Sequence, residues 1–539
     1  MKKLLIYSGI LLAGLQVGCT KGFEELNTDP LRISPGNFDG AYLLPAAQRS
    51  YVGTMTGYAG SLLFQAGWVQ LLASTSTGGA TYYSNMDKYV PSSNINSYTA
   101  NSWNNSFSGA TQAQQLLKLL GDDPSKVNVR SAAKIVQVMH LAFISDLYGP
   151  IPYSEALRGD EGINNPKYDN QRDVYLGLLA ELETAINSFS SSAPAFTNDI
   201  STYGGNIDKW KKLGYSLMLR MAMRMTKVDA AAARQWAEKA AAGGPMSSIE
   251  DNYVLRMDFA NGYGNPNSSA IRVSDDFYQV RWSKNFIDFL KATNDPRLTA
   301  VAEIPPAGIA AASNVAIAGD NTAGIQLGLP NGYDMNEGDK DITNAPGYPG
   351  GTGTGGDFSP IGRYSRPRAA LTTNLNAPLV VMTSAETSFL LAEASARGWT
   401  VPGNPALHYR NGLSAALQTL ATMDASAAIS AATADAFAAA NPLDVSSLNA
   451  SLKMINEQYW ATTGSYFSFV EAWNNWRRSG FPNLTPVSFP GGFSSGQIPR
   501  RQIIPLNEAV LNGPSYQAGI GDIQGGDNWT GRVWWDAAN

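Results

Sequence analysis

Two histidines, His140 and His408, and a single cysteine, Cys19, are all the imidazole and thiol chemistry that 539 residues offer. His140 recurs at helical spacing with Val136, Phe143, Ile144 and Leu147, on an apolar face, while His408 follows a Pro-bounded loop far along the chain. Both read as structural. The metal motif H-E-x-x-H and the phosphate loop G-x-x-x-x-G-K-[ST] do not occur. Asp and Glu could supply the carboxylate pair of glycoside hydrolysis, whose separation is a three-dimensional matter. A (β/α)8 hydrolase, however, needs strands alternating with helices, and successive helical patterns with few β-branched runs predict an all-α chain instead.

Binding chemistry is better represented. Tyr and Trp faces stack on sugar rings while their polar edges stay wet. Tyr82, Tyr83, Tyr89 and Trp103 fall in or beside a stretch rich in Ser, Thr, Asn and Gly, and Tyr263 and Tyr333 lie in later loops. These six are the candidate ligand contacts. Trp210, Trp460, Trp473 and Trp476 sit on helical patterns and read as core. Asp334, Glu337, Asp339 and Asp341 crowd one loop, where their oxygens could gather around Ca2+. Their spacing matches no calcium-loop motif, and Arg363, Arg366 and Arg368 follow closely enough to neutralise a solvated charge run. No other cofactor is expected.

The elements that must position these residues are helices. Tyr175, Leu178, Leu179, Leu182 and Ile186 mark one face of an amphipathic helix, with Asn170 or Asp173 as its cap. The same period predicts antiparallel pairs: 131–148 with 171–189, 208–227 with 229–242, 384–397 with 405–421, and 448–462 with 466–478. Trp210, Leu213 and Gly214 reproduce the W-x-x-L-G opening of a tetratricopeptide repeat, although the other pairs do not repeat it. Residues 253–285 and 302–378 are rich in Gly, Pro and Asn, as binding loops often are.

The amino terminus has the layout of an export leader, with Lys2 and Lys3, an apolar run from Leu4 to Leu15, and Cys19 after Gly18. This predicts a signal at 1–18, diacylation of Cys19, a polar tether over 19–39 and one large domain over 40–539. The apolar run is too short to span a bilayer, and Gly, Pro, Asn and Ser interrupt every later candidate. The net charge is −5 and becomes more negative when Lys2 and Lys3 leave with the leader, which disfavours a nucleic-acid partner.

Several segments, in order, resemble the SusD/RagB family and its SusD-like lipoprotein branch. FEELNTDP at Phe23 to Pro30 is similar to the family's start, and SDLYGPIPYSEAL at Ser145 to Leu157 to its most specific motif. DPRL at Asp295 to Leu298, TSAETSFLLAEASARGW at Thr383 to Trp399, EAWNNWRRSGFP at Glu471 to Pro482, IPRRQIIP at Ile498 to Pro505 and VWWD at Val533 to Asp536 follow. The resemblance implies an α-helical fold with tetratricopeptide-like pairs as scaffold. It further implies non-catalytic capture of a glycan, or in some members a peptide. The expected setting is the outer-membrane surface of a Gram-negative bacterium, in partnership with a SusC-like TonB-dependent transporter. A helical-repeat adaptor without small ligand, and a surface hydrolase, are the alternatives. The shared motifs read as packing signatures, with Arg477 and Arg478 suited to internal ion pairs, so the six aromatics rest on loop position alone.

Overall fold

The computed structural model describes residues 40–76, 82–273, 277–306, 314–336, 338–350 and 363–538. It divides into two units, Met1–Tyr42 and Leu43–Asn539. The expected leader, Cys19 and the tether at 19–39 lie outside the described residues.

All four expected helix pairs are present in the second unit. α1 is Leu43–Met55, α2 Ile95–Leu120, α3 Val127–Tyr148, α4 Gln171–Ser188, α5 Ile207–Arg224 and α6 Ala230–Gly243. α7 is Ser384–Ala396, α8 Pro405–Gln418, α9 Ala431–Ala440, α10 Leu448–Ser465, α11 Phe469–Ser479 and α12 Leu506–Leu511. α3 packs on α4, α5 on α6, α7 on α8 and α10 on α11. Local sequence starts four of these helices: Asn170 accepts from the Asp173 amide, Asn206 from those of Asp208 and Lys209, Thr383 from Glu386, and Asn404 from Leu407. Each cap answers backbone donors that the first helical turn leaves unpaired. Of the two caps expected for α4, Asn170 does the work.

Two further helices extend the layer. α1 and α2 pack on each other, and α2 on α3. α2 runs through the Ser- and Asn-rich stretch read as loop, so Trp103 stands on a helix and not beside a flexible segment. Its buried face is made of small residues, Thr99, Ser102, Ser106, Gly109, Ala110 and Ala113, with Trp103 and Leu116. A Cβ on Gly109 would collide with the His140 ring of α3, and one on Gly214 of α5 would lie 2.5 Å from Ile186 of α4. Absent side chains let these axes approach closely.

Strand is scarce and always two-stranded. β1 (Leu72–Ser74) pairs with β5 (Val280–Trp282), β2 (Ile151–Pro152) with β3 (Tyr168–Asp169), β4 (Tyr253–Leu255) with β8 (Leu379–Met382), and β6 (Ala302–Glu303) with β7 (Arg366–Pro367), all antiparallel. These short ladders clip long loops onto the helical layer.

The motif residues meet in one buried polar network. Glu393 receives both guanidinium ends of Arg478, at 2.7 and 2.8 Å, and the Arg397 Nε at 2.9 Å. Burial alone would raise that carboxyl, but Arg478 and Arg397 outweigh it and hold it at about 2. Arg477 departs from the expected ion pair. It donates to the carbonyls of Arg500 and Asp146, at 2.8 and 2.6 Å, and its guanidinium lies 3.5 Å from the Trp473 ring centre and 4.4 Å from that of Trp535. Burial lowers its pKa to about 9, although Asp536 and Asp146 oppose the shift. Asp295 and Arg297 of the DPRL segment form another buried pair, their shortest contact 2.5 Å.

Candidate functional site

The segments that flank β1, with the first turn of α2, carry a group of half-buried tyrosines. Tyr82 meets Tyr58 edge-on at 6.3 Å and Tyr98 at 5.9 Å, while Tyr58 stacks on Tyr83 at 5.6 Å. Tyr83 in turn meets Phe277 at 5.7 Å. Tyr58, Tyr82 and Tyr98 are half-buried, whereas Tyr83 is 1% exposed. Across β1 lies a small cluster of Ala73, Leu329, Ile342, Ala345 and Tyr364, with Tyr333 packed partly against it. Burial raises the Tyr364 phenol, and neighbouring Tyr348 and Tyr333 add to the effect. Tyr278, Tyr333 and Tyr348 are themselves half-buried. Six tyrosines on both flanks of one strand thus offer ring surface to solvent with hydroxyls for hydrogen bonding.

A buried charged pair beneath fixes these loops. Asp87 accepts from the Gly332 amide at 2.9 Å and from the Ser74 amide at 3.3 Å. Lys88 lies 3.4 Å from Asp87 and donates to the Ser74 carbonyl. Both side chains are fully buried, and burial pushes the Lys88 ammonium downward although Asp87 opposes it. Asn331 donates to the Leu72 carbonyl at 3.1 Å and accepts from Ser283 at 2.6 Å. On the other side Ser76 donates to Gln279 at 2.5 Å, whose amide reaches the Tyr278 hydroxyl at 3.1 Å. Polar side chains that hold one another in this way position their aromatic neighbours.

The structure scatters the six expected contacts. Tyr82 and Tyr333 belong to the tyrosine surface that flanks β1. Tyr83 and Tyr89 are each 1% exposed and present no free face; Tyr89 instead meets Phe493 at 6.4 Å, with φ of 59° at its own backbone. Trp103 is 5% exposed and enclosed by Phe107, Tyr148 and Tyr168. Tyr263 is 41% exposed, but the Arg49 guanidinium covers its ring at 3.1 Å. Position beside polar residues selected Tyr83, Tyr89 and Trp103, whereas their neighbours in space bury them. Tyr58, Tyr98, Tyr278 and Tyr348 join the same surface without being among the six; Tyr98 is legible only once 95–120 is recognised as a helix, and Tyr58 only through its contact with Tyr82.

Among the described residues no three acidic or thiol or imidazole side chains converge as a metal site. Asp341 caps the turn Ile342–Asn344 by accepting from the Thr343 amide at 2.8 Å, and Asp334 accepts from the Asn336 amide at 3.0 Å. Asp339 is exposed, and Glu337 lies outside the described residues. Arg366 and Arg368 do not neutralise this loop: Arg366 pairs with Glu303 at 2.9 Å and Arg368 donates to the carbonyls of Ala300 and Ser426, each at 3.2 Å. The carboxyls that stand closest to a hydrolase pair, Glu386 and Glu471, share the Tyr459 hydroxyl at 3.3 and 2.7 Å. They are buried, bound by Arg220 and Arg224 at 2.6 and 2.7 Å, and Glu471 lines a cavity of only about 30 Å3. A sugar ring does not fit there.

Helix pairs thus form the scaffold, and the tyrosines with their buried polar support form the surface that it carries. The model of a family described as SusD-like, starch-binding and associating with the outer membrane matches residues 37–505, so the chain belongs to the SusD-like family. A chitin-binding protein of known structure is 27% identical, with a TM-score of 0.77 and coverage of 93% of this chain and 100% of the other. A SusD homologue from Bacteroides ovatus shares 21% identity over 93% of this chain and 100% of its own, with a TM-score of 0.71. A chitin-binding SusD homologue from Flavobacterium johnsoniae shares 20% over 92% and 99%, with a TM-score of 0.71. These last two speak for the fold alone. No curated protein matches.

Proposed function

We propose that this chain captures a glycan at the cell surface without transforming it and hands it to a SusC-like TonB-dependent transporter. The carrying observation is the set of half-buried tyrosines on both flanks of β1, held by Asp87 and Lys88, in a member of a starch-binding family. The 27% identical chitin-binding protein makes chitin oligosaccharides the first ligands to try, with starch fragments beside them. Anchorage at the outer membrane through a lipid on Cys19 completes the reading, and the family's association with that membrane supports it.

Calorimetry of Tyr82→Ala, Tyr98→Ala and Tyr333→Ala variants against both oligosaccharide series tests the surface. Each ring contributes modestly, so each loss should weaken binding roughly two- to tenfold with the melting temperature unchanged. Equal affinities for all three variants and the wild type would remove the tyrosines from the site. Binding of peptides and of neither glycan would move the chain to the peptide-capturing alternative.

A further inference from the structure

Away from the tyrosines, α2 and α12 close with the chain between β2 and β3 around a pocket of about 340 Å3. That is at the lower end of volumes that hold small ligands, roughly 300 to 1,000 Å3. Phe107 and the edge of Trp103 form one wall and Leu157 another. Asn104 and Asn164 are exposed polar lining residues, and Glu508 and Asn512 come from the α12 side. Asn512 is 5% exposed, and its Nδ2 donates to the Pro166 carbonyl at 2.8 Å, which ties the end of α12 to the chain between β2 and β3. Glu508 accepts from the Tyr168 hydroxyl at 2.8 Å, and burial pushes its carboxyl upward, toward the neutral form. Among the described residues no Lys, Arg or His lines the pocket, which leaves an anionic ligand without a counter-charge.

We propose that this pocket is a second ligand site, which takes one neutral sugar ring with its apolar face on Phe107 and its hydroxyls toward Asn104, Asn164 and Glu508. The choice of a sugar rests on the glycan reading of the proposed function; the pocket does not. It shares no residue with the tyrosine surface, so the chain could hold one glycan at two points or a released unit apart from its polymer.

Fluorine NMR on protein labelled with 5-fluorotryptophan tests it, with the Trp103 resonance identified from Trp103→Phe. N-acetylglucosamine and methyl β-glucoside are titrated to their solubility limits. One of them should displace the Trp103 signal in the wild type and in Tyr82→Ala alike. The displacement should vanish in Ala156→Phe, which fills the pocket, and need roughly fivefold more sugar in Phe107→Ala. The second variant serves if the first fails to fold. No displacement by either neutral sugar overturns the proposal, as does a response to glucosamine alone, which would mark an ammonium site. A response abolished by Tyr82→Ala overturns it too, since the signal would then come from the first surface. Should Trp103 respond while the tyrosine variants leave oligosaccharide binding unchanged, the pocket stands and the tyrosine reading fails.

Discussion

Arg478 and Glu393 show what a buried charge can and cannot do. Removal of one partner from a buried pair typically costs about 3 to 5 kcal/mol, because the other stays desolvated. Arg478→Met should therefore lower stability by about that much in urea unfolding, softened by the Arg397 contact that Glu393 retains. The double variant Arg478→Met, Glu393→Leu should recover part of the loss; if it is no better than the single one, the pair is not the source. His140 gives a pH-dependent counterpart. Its Nε2 donates to the Ala47 carbonyl at 3.0 Å, and burial brings its pKa down from 6.5 to about 4. The unfolded chain thus binds a proton between pH 6.5 and 4 that the folded chain refuses, so stability is full above 6.5 and falls through that window. At roughly 1.4 kcal/mol per unit the loss from this one group approaches about 3 kcal/mol. Burial raises the carboxyls of Asp146 and Glu386, which respond in the opposite sense. The clean measurement is consequently the difference between wild type and His140→Gln: urea midpoints at about pH 7, 5.5 and 4 should fall less in the variant. Parallel curves would place the histidine among the silent groups.

At the level of elements, legibility follows side-chain size. The pairs from 131 to 478 are readable because Leu, Ile, Val, Met and aromatic residues repeat at spacings of three and four, a signal that survives any context. α2 is not readable that way, since Ser102, Ser106, Gly109, Ala110 and Ala113 form its buried face and count as polar or neutral. Their role is proximity. Gly109→Ala places a methyl group against the His140 ring, so either the ring leaves the Ala47 carbonyl or the two helices separate. Overpacking of this sort costs about 1 to 3 kcal/mol, whereas alanine in an exposed helix interior would stabilise by up to about 1 kcal/mol. The sign of the change in melting temperature distinguishes them. A stabilised Gly109→Ala would mean that α2 and α3 do not pack in this close contact. The candidate site was less legible than the scaffold for the same reason, carried from helices to loops. Tyr82 and Tyr83 are neighbours in sequence, yet Phe277, from the segment leading into β5 roughly two hundred residues away, helps cover only one of them.

At the scale of the whole molecule, the proposed function has to keep a helical layer at the outer membrane, with which the family associates. The proposed point of attachment is Cys19, the only cysteine in the chain; among the described residues no helix is long and apolar enough to cross a membrane. A single myristoyl chain binds membranes only marginally, and stable attachment takes two anchoring signals. Diacylation of Cys19 would meet that requirement where a bare thiol would not. Three results are then expected together. Mass spectrometry of the native protein should find the chain beginning at Cys19 with acyl groups on it. Cys19→Ser should move the protein from the membrane fraction to the soluble one. Its affinity for an oligosaccharide should stay within about twofold of the wild type, because Tyr58, Tyr82, Tyr98, Tyr278, Tyr333 and Tyr348 all belong to the second unit. The third result separates attachment from recognition. If the variant stays in the membrane fraction, another contact, such as a transporter held tightly enough to retain it, carries the attachment; if it leaves but loses the sugar as well, the segment before Leu43 takes part in binding.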